Sequence, residues 1–375
     1  MRRDRHKTNK ATEETLKKTA ILVLALGAAF QAQAQSQNSA ITIYGIVDAA
    51  VVGERGGNDN SPTTRITSGA ASASRFGFKG TESLGNGLSA FFILEGGAKI
   101  DTGAIDANGT IFNRQALVGL QGNFGAVALG RQYTPWHLTL AAFDPFGTGY
   151  AGTSKNLFPD SGANIRTSNT ITWKSPKLNG FDGEVAYSAG EQSDASAGRQ
   201  YGAALGYANG PLAVRLAYNS KNSDLAATGT APAVNHDLGR NAMLAATYGF
   251  RLFKLHAIYN VDKGYNSAPL WNSANLHGVT PVASLDARDM LLGLSAPVGN
   301  GTVMFSTMHK DDRTGFNQDA TSWGLGYLYN LSKRTGLYAA YAHIDNKNGA
   351  GYTVANNTEA GTGSTGYNLG IRHTF

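Results

Sequence analysis

From Ala40 to the C-terminus the dominant hydrophobic period is two. In Ile41-Thr42-Ile43-Tyr44-Gly45-Ile46-Val47-Asp48-Ala49-Ala50-Val51 the odd positions are Ile, Ile, Gly, Val, Ala and Val, while the even ones include Thr42, Tyr44 and Asp48. Successive side chains of a strand point to opposite faces, so one face is apolar and the other mixed and polar. The pattern recurs where Phe76 and Phe78 oppose Arg75 and Lys79, and where Ile171 and Trp173 alternate with Thr170, Thr172 and Lys174. Leu212, Val214, Leu216 and Tyr218 face away from Arg215; Tyr367, Leu369, Ile371 and Phe375 face away from Asn368, Arg372 and Thr374. Strands are predicted over 40–52, 72–81, 88–100, 111–121, 126–133, 168–175, 183–190, 200–208, 211–219, 239–248, 252–261, 288–296, 301–310, 320–330, 335–345 and 364–375.

The connections fall into two classes that alternate along the chain. Gly85-Asn86-Gly87, Asn179-Gly180, Asn209-Gly210-Pro211, Gly299-Asn300-Gly301 and the stretch around Asn330-Leu331-Ser332 carry tight-turn chemistry, in which Gly or Asn supplies positive φ. The stretches 134–167, 191–199, 220–238, 262–287 and 346–362 are long and polar. A sheet with tight turns at one end and long loops at the other matches a transmembrane barrel of the outer-membrane type. In hydrocarbon an open sheet edge leaves backbone groups unpaired at several kcal/mol each, so the sheet must close. The predicted fold is all-β, a 16-stranded antiparallel up-and-down transmembrane barrel forming one domain.

Composition sharpens this picture. Charged residues make up 15% of the 375-residue chain and Gly accounts for 47 positions, against about 25% charged in an ordinary soluble protein. The absence of Cys removes disulfides and thiolate metal sites. The longest strongly apolar stretch, Ile21 to Phe30, falls short of the ~20 residues of a spanning helix. It follows Lys17-Lys18 and precedes Gln31-Ala32-Gln33-Ala34, the order of a secretory signal peptide with cleavage after Ala34. Residues 1–34 are therefore expected to be removed and 35–375 to form the barrel; a retained N-terminal amphipathic helix is the other reading. Removal takes away seven of 32 Lys/Arg and three of 26 Asp/Glu, which leaves 25 against 23 and no footprint for nucleic acid.

A family resemblance rests on Ile43 to Ala49, on Ser74-Arg75-Phe76-Gly77-Phe78-Lys79-Gly80-Thr81-Glu82 with Leu84 to Leu88, and on Val118-Gly119-Leu120 followed by Leu129-Gly130-Arg131-Gln132-Tyr133-Thr134-Pro135. It continues through Phe143-Asp144-Pro145-Phe146-Gly147, Leu331-Ser332-Lys333-Arg334-Thr335 and Gly370-Ile371-Arg372-His373-Thr374-Phe375. In this order and spacing the chain resembles the trimeric general porins of Gram-negative bacteria, of the Neisseria and Burkholderia type. The resemblance implies a homotrimer in the outer membrane, reached through the periplasm, with lipid and lipopolysaccharide around it. It implies a water-filled channel for passive diffusion of small hydrophilic solutes and ions, with no cofactor and no metal. It also implies that the third loop folds inward to constrict the pore, and that the terminal Phe375 is read by the barrel-assembly machinery. A lipid-facing aromatic of the interfacial girdle is the plainer reading of Phe375.

The loop 134–167 is interrupted by Pro135, Pro145 and Pro159 and carries Phe143, Phe146 and Phe158 to pack it in place, with Asp144 and Asp160 as its acidic groups. An ordinary extracellular loop is the alternative. By position in the family motifs, Arg75, Arg114 and Arg166 resemble the arginine cluster of anion-preferring relatives. Parity agrees for Arg75 and Arg166. Arg114 shares parity with the lipid-facing Ala116, Val118 and Leu120, so it needs a bulge or a strand start already beyond the bilayer. Lys79 shares the face of Arg75, and Arg65 and Arg131 stand in a second tier. Any one of these arginines reads equally well as a solvated lumen residue or rim anchor; the convergence of three carries the inference of a modest anion preference. An outer-membrane barrel hydrolase needs a Ser/His or Asp/His set on an exposed rim, which hydrolysis by purified protein would reveal. An adhesin-type barrel keeps its lumen plugged, which bilayer conductance would reveal.

Overall fold

The computed structural model describes residues 40–57, 62–107, 109–191, 196–227, 231–264 and 282–375; the expected leader and its cleavage point at Ala34 lie outside them. Its strands are β1 (Ala40–Arg55), β2 (Thr63–Ser68), β3 (Arg75–Gly85), β4 (Leu88–Gly97), β5 (Gln115–Gly122), β6 (Gly125–Tyr133), β7 (Arg166–Lys174), β8 (Phe181–Ser188) and β9 (Gln200–Asn209). They continue with β10 (Leu212–Lys221), β11 (Gly239–Gly249), β12 (Lys254–Lys263), β13 (Asp286–Val298), β14 (Gly301–Asp312), β15 (Ala320–Asn330), β16 (Thr335–Asn346) and β17 (Thr365–Thr374). Among the described residues an α-helix, α1 (Pro135–Phe143), follows β6.

Every strand from β3 onward pairs antiparallel with its successor, and β17 returns to β1 from Ile46↔Thr374 to Arg55↔Thr365. The other edge of β1 is shared: β3 occupies Ala40 to Ile46 and β2 occupies Ala49 to Glu54. Seventeen strands thus fill sixteen barrel positions, because β2 and β3 are two halves of one position interrupted by residues 69–74. The break is sealed at Asp48, whose N–H donates to Ser74 Oγ at 3.0 Å and whose carbonyl accepts from the Gly69 N–H at 2.8 Å. Closure leaves no edge, as backbone in hydrocarbon requires.

The two faces separate as the period of two demands. Leu369 is 60% exposed and Leu292 57%, whereas Asn368 is 3% and Asp289 0% exposed. Ile43, Leu205, Leu216, Leu325 and Ile371 continue the exposed apolar band around the wall. A surface of this kind is stable only against an apolar solvent, with the polar face enclosed. Sixteen strands enclose a space too wide for side chains to fill.

The 134–167 connection forms hydrogen bonds with side chains of β10 and β12. Thr134 caps α1 by accepting from the His137 N–H at 3.1 Å, and Pro135 occupies the first turn, where no N–H is needed. Trp136 Nε1 donates to Asn260 Oδ1 at 3.1 Å, Arg215 Nε donates to Thr139 Oγ1 at 3.2 Å, and His256 Nδ1 lies 2.8 Å from the Phe143 carbonyl. Phe143, Phe146 and Phe158 are buried. The connection 346–362, expected as a long polar loop, is instead largely packed away: Tyr352, Val354, Ala355 and Asn356 are buried. Its Ala355 N–H donates to Asn156 Oδ1, and the Asn357 carbonyl accepts from Lys155 Nζ, so it leans on the 134–167 loop.

Candidate functional site

Three arginines from distant parts of the chain meet at strand ends on the long-loop side. Arg75 is the first residue of β3 and Arg166 the first of β7, while Arg114 stands one residue before β5. That last position resolves the parity conflict: Arg114 precedes the alternation that governs Ala116, Val118 and Leu120. With Tyr133, Lys155 and Asp160 they line one cavity of about 560 Å³.

Glu95 on β4 and Tyr133 at the end of β6 hold the cluster in place. Glu95 is 4% exposed; its Oε1 accepts from Arg114 Nε at 2.8 Å, its Oε2 accepts from Tyr44 Oη at 3.0 Å, and Arg75 Nε lies 3.6 Å away. The Tyr133 hydroxyl accepts from Arg114 Nη2 at 2.6 Å and from Arg166 Nη2 at 3.1 Å. Tyr133 and Arg166 are cross-strand neighbours, and the guanidinium lies 4.5 Å from the ring centroid, a cation–π contact. A register shift between Gly130 and Gln132 precedes this pair, and such irregularities re-aim side chains next to functional sites.

On the other side of Tyr133 the His137 ring stacks at 5.2 Å, and its Nδ1 lies 2.6 Å from Asp160 Oδ1. Burial raises the Asp160 carboxyl, but His137 and Lys155 outweigh it and hold the group below the usual carboxylate range. Asp144 is placed differently. It is buried, and its carboxylate accepts the N–H groups of Phe146, Thr148 and Ser154 at 2.8 to 3.0 Å. It therefore braces the loop from within and is not among the cavity residues.

Lys79 is exposed one step from the cluster, with Nζ 5.2 Å from the Tyr44 ring centroid. Arg65 is engaged by Glu54 at 2.7 Å and Glu359 at 2.9 Å. Asp106 and Glu359 also line the cavity, so its charge is not uniformly positive. Among the described residues, Arg166 and Arg131 have no carboxylate within ion-pair distance; Arg131 donates to the Asn113 carbonyl and to Ser168 Oγ. Phe375 closes the seam with β1, exchanging backbone hydrogen bonds with Gly45 at 3.1 and 3.2 Å.

Glu95 and Tyr133 escape a reading of the sequence that looks for cations. Glu95 does carry a signal, as the one charged residue in the apolar run Ser89 to Gly97. Tyr133 has none beyond its place in the Leu129 to Pro135 motif and its position at the end of a strand.

A family model for Gram-negative porins matches residues 19–349. The chain is similar to an outer membrane porin protein of Bordetella pertussis, with 32% identity over 404 aligned positions covering 96% of this chain and 100% of the relative. Outer membrane porin protein 32 of Delftia acidovorans is likewise 32% identical, over 96% of this chain and its own full length. Among solved structures, the anion-selective porin from Comamonas acidovorans superposes with a TM-score of 0.72 at 31% identity, covering 90% of this chain and 100% of that one.

Proposed function

The chain belongs to the Gram-negative porin family, and from this premise we propose that Arg75, Arg114 and Arg166 bias its pore toward small anions where the 134–167 loop narrows it. The protein is an outer-membrane channel for passive diffusion of small hydrophilic solutes. The family is one of channels rather than enzymes.

The observation that carries the anion reading is Arg166. Its guanidinium is oriented by the Tyr133 ring and hydroxyl, sits beside Arg114, and has no carboxylate within ion-pair distance among the described residues. Guanidinium groups stay charged at any working pH, and a low-dielectric wall focuses their field into the water-filled neck. Glu95, Asp106, Asp160 and Glu359 offset much of the remaining positive charge, so the preference is modest. Asp160 and the arginines on one cavity also set up a local field able to orient dipolar solutes. The solved relative titled an anion-selective porin supports the same direction. Reversal potentials of the reconstituted channel in a salt gradient provide the test. Anion preference is expected, with Arg166→Gln reducing it more than Lys79→Gln; cation preference of the natural protein would overturn the reading.

The working unit is a homotrimer lacking residues 1–34, and Phe375 serves recognition by the barrel-assembly machinery. The mass of the detergent-solubilised particle tests the first point. An N-terminus at Gln35 tests the second, and loss of membrane-inserted protein on deleting Phe375 tests the third.

A further inference from the structure

Behind α1 a row of polar side chains crosses the barrel wall from β9 to β14. Gln200, Asn219, Asn241, Asn260, Asp262, Asp289 and Lys310 are each at most 4% exposed. Cross-strand pairing sets the row: Gln200 faces Lys221, which lies two residues from Asn219 on β10, Asn219 faces Asn241, Asn241 faces Asp262, Asn260 faces Asp289, and Asp289 faces Lys310. Lys310 Nζ lies 2.5 Å from Asp289 Oδ1 and 3.5 Å from Asp262 Oδ2. Asn260 Nδ2 donates to Asp262 Oδ1 at 2.6 Å and to Asp289 Oδ2 at 2.9 Å. That leaves the Asn260 carbonyl oxygen to accept from Trp136 Nε1, which is itself fully buried.

We infer that Lys310, Asp289 and Asp262 form a clamp that positions the 134–167 loop through Asn260 and Trp136, and so sets the width of the pore. Two carboxylates and one ammonium out of water are stable only with their remaining hydrogen bonds satisfied. Asn260 spends both amide hydrogens on the carboxylates, and this orients its oxygen toward the indole. The far end of the loop is held by the same row: Gln200 Nε2 donates to the Ala163 carbonyl at 2.9 Å and Asn219 Nδ2 donates to Asn164 Oδ1 at 3.1 Å. These are positioning residues, since the triad lies behind the loop and does not line the arginine cavity.

The inference rests on the reading of this loop as the narrow part of the pore, and its test is independent of ion preference. Single-channel recordings of the reconstituted protein are compared for the natural chain, Trp136→Phe, Lys310→Met and the double variant, each first verified as folded by heat-modifiable gel mobility. Trp136→Phe removes the loop's bond to Asn260 and leaves its other wall contacts and every strand untouched, so it answers the question even where Lys310→Met fails to fold. Both single variants are expected to raise conductance and to increase open-channel noise severalfold, and the double variant is expected to resemble the stronger single one. Unchanged conductance and noise in Trp136→Phe would overturn the clamp, as would effects that add in full. Cation preference in the natural channel would defeat the anion reading and leave the clamp standing.

Discussion

At the scale of single residues, the arginine cluster is governed by a carboxylate and a phenol. Glu95 compensates charge and fixes geometry together, and the two roles can be separated. Glu95→Gln keeps an oxygen for the Arg114 guanidinium and a polar partner for Tyr44 but removes a negative charge. The anion-to-cation permeability ratio, read from reversal potentials, is expected to rise; a fall would mean that the arginines lose their orientation without the charge. Another carboxylate gives a pH signature. Burial raises Glu359, but the Thr67 hydroxyl and Arg65 outweigh it and hold the group below its ordinary value. A depressed carboxylate stabilises the folded form above its unfolded pKa of about 4.3 and loses that contribution as pH falls through the folded value. Protection of the Tyr352 to Ala360 amides, taken relative to intrinsic exchange at each pH, is therefore expected to hold from neutral pH to about 4 and to fall below it.

At the scale of elements, the strands were legible because a half-buried strand writes its period directly into the sequence, whichever solvent lies outside. The segment Thr63–Ser68 was not, since Ile66 is its one large apolar residue and it completes a strand interrupted after Ser68. Helix α1 falls in a stretch that the sequence presents as loop, because Trp136, His137, Thr139, Leu140 and Phe143 are all buried, leaving little polar face to reveal a period. The connection 346–362 reads as a polar loop because apolar residues such as Ala350, Tyr352 and Val354 are set among Gly, Asn and Thr, and the cluster they join and the distant hydrogen bonds beside it are not written in its local pattern. Of the candidate site, motif position picks out the three arginines that line one cavity, and their role in the pore is the proposal made above; Asp144 and Asp160 look alike in the sequence, which does not distinguish a carboxylate that caps backbone N–H groups from one that lines a cavity. The seam between first and last strands yields a sharper prediction. A Cβ at Gly45 would lie 2.3 Å from the Phe375 ring and 2.6 Å from the Arg75 carbonyl oxygen. Gly45→Val is expected to cost on the order of 1–3 kcal/mol and to lower the yield of folded barrel in heat-modifiable gel assays, with Gly315→Ala, in open space and without a positive φ, as the milder control.

At the scale of the whole molecule, the same alternation that builds the sheet assigns its two solvents. Leu292, near the middle of β13, faces outward, and its neighbour Leu291 is 1% exposed on the opposite face. Leu292→Arg is expected to cost about 2–4 kcal/mol in a bilayer, read as reduced denaturant resistance of the reconstituted protein; stability equal to the natural chain would contradict the placement. The sharing of β1 has a different consequence. The first strand made is the partner of the last, through ten residue pairs from Ile46↔Thr374 to Arg55↔Thr365. A chain cut short before Thr365 would therefore have no smaller ring to settle into. Its leading strand would wait with bare amides and carbonyls for a partner that never arrives, which makes the final segment synthesised the one on which all the others depend.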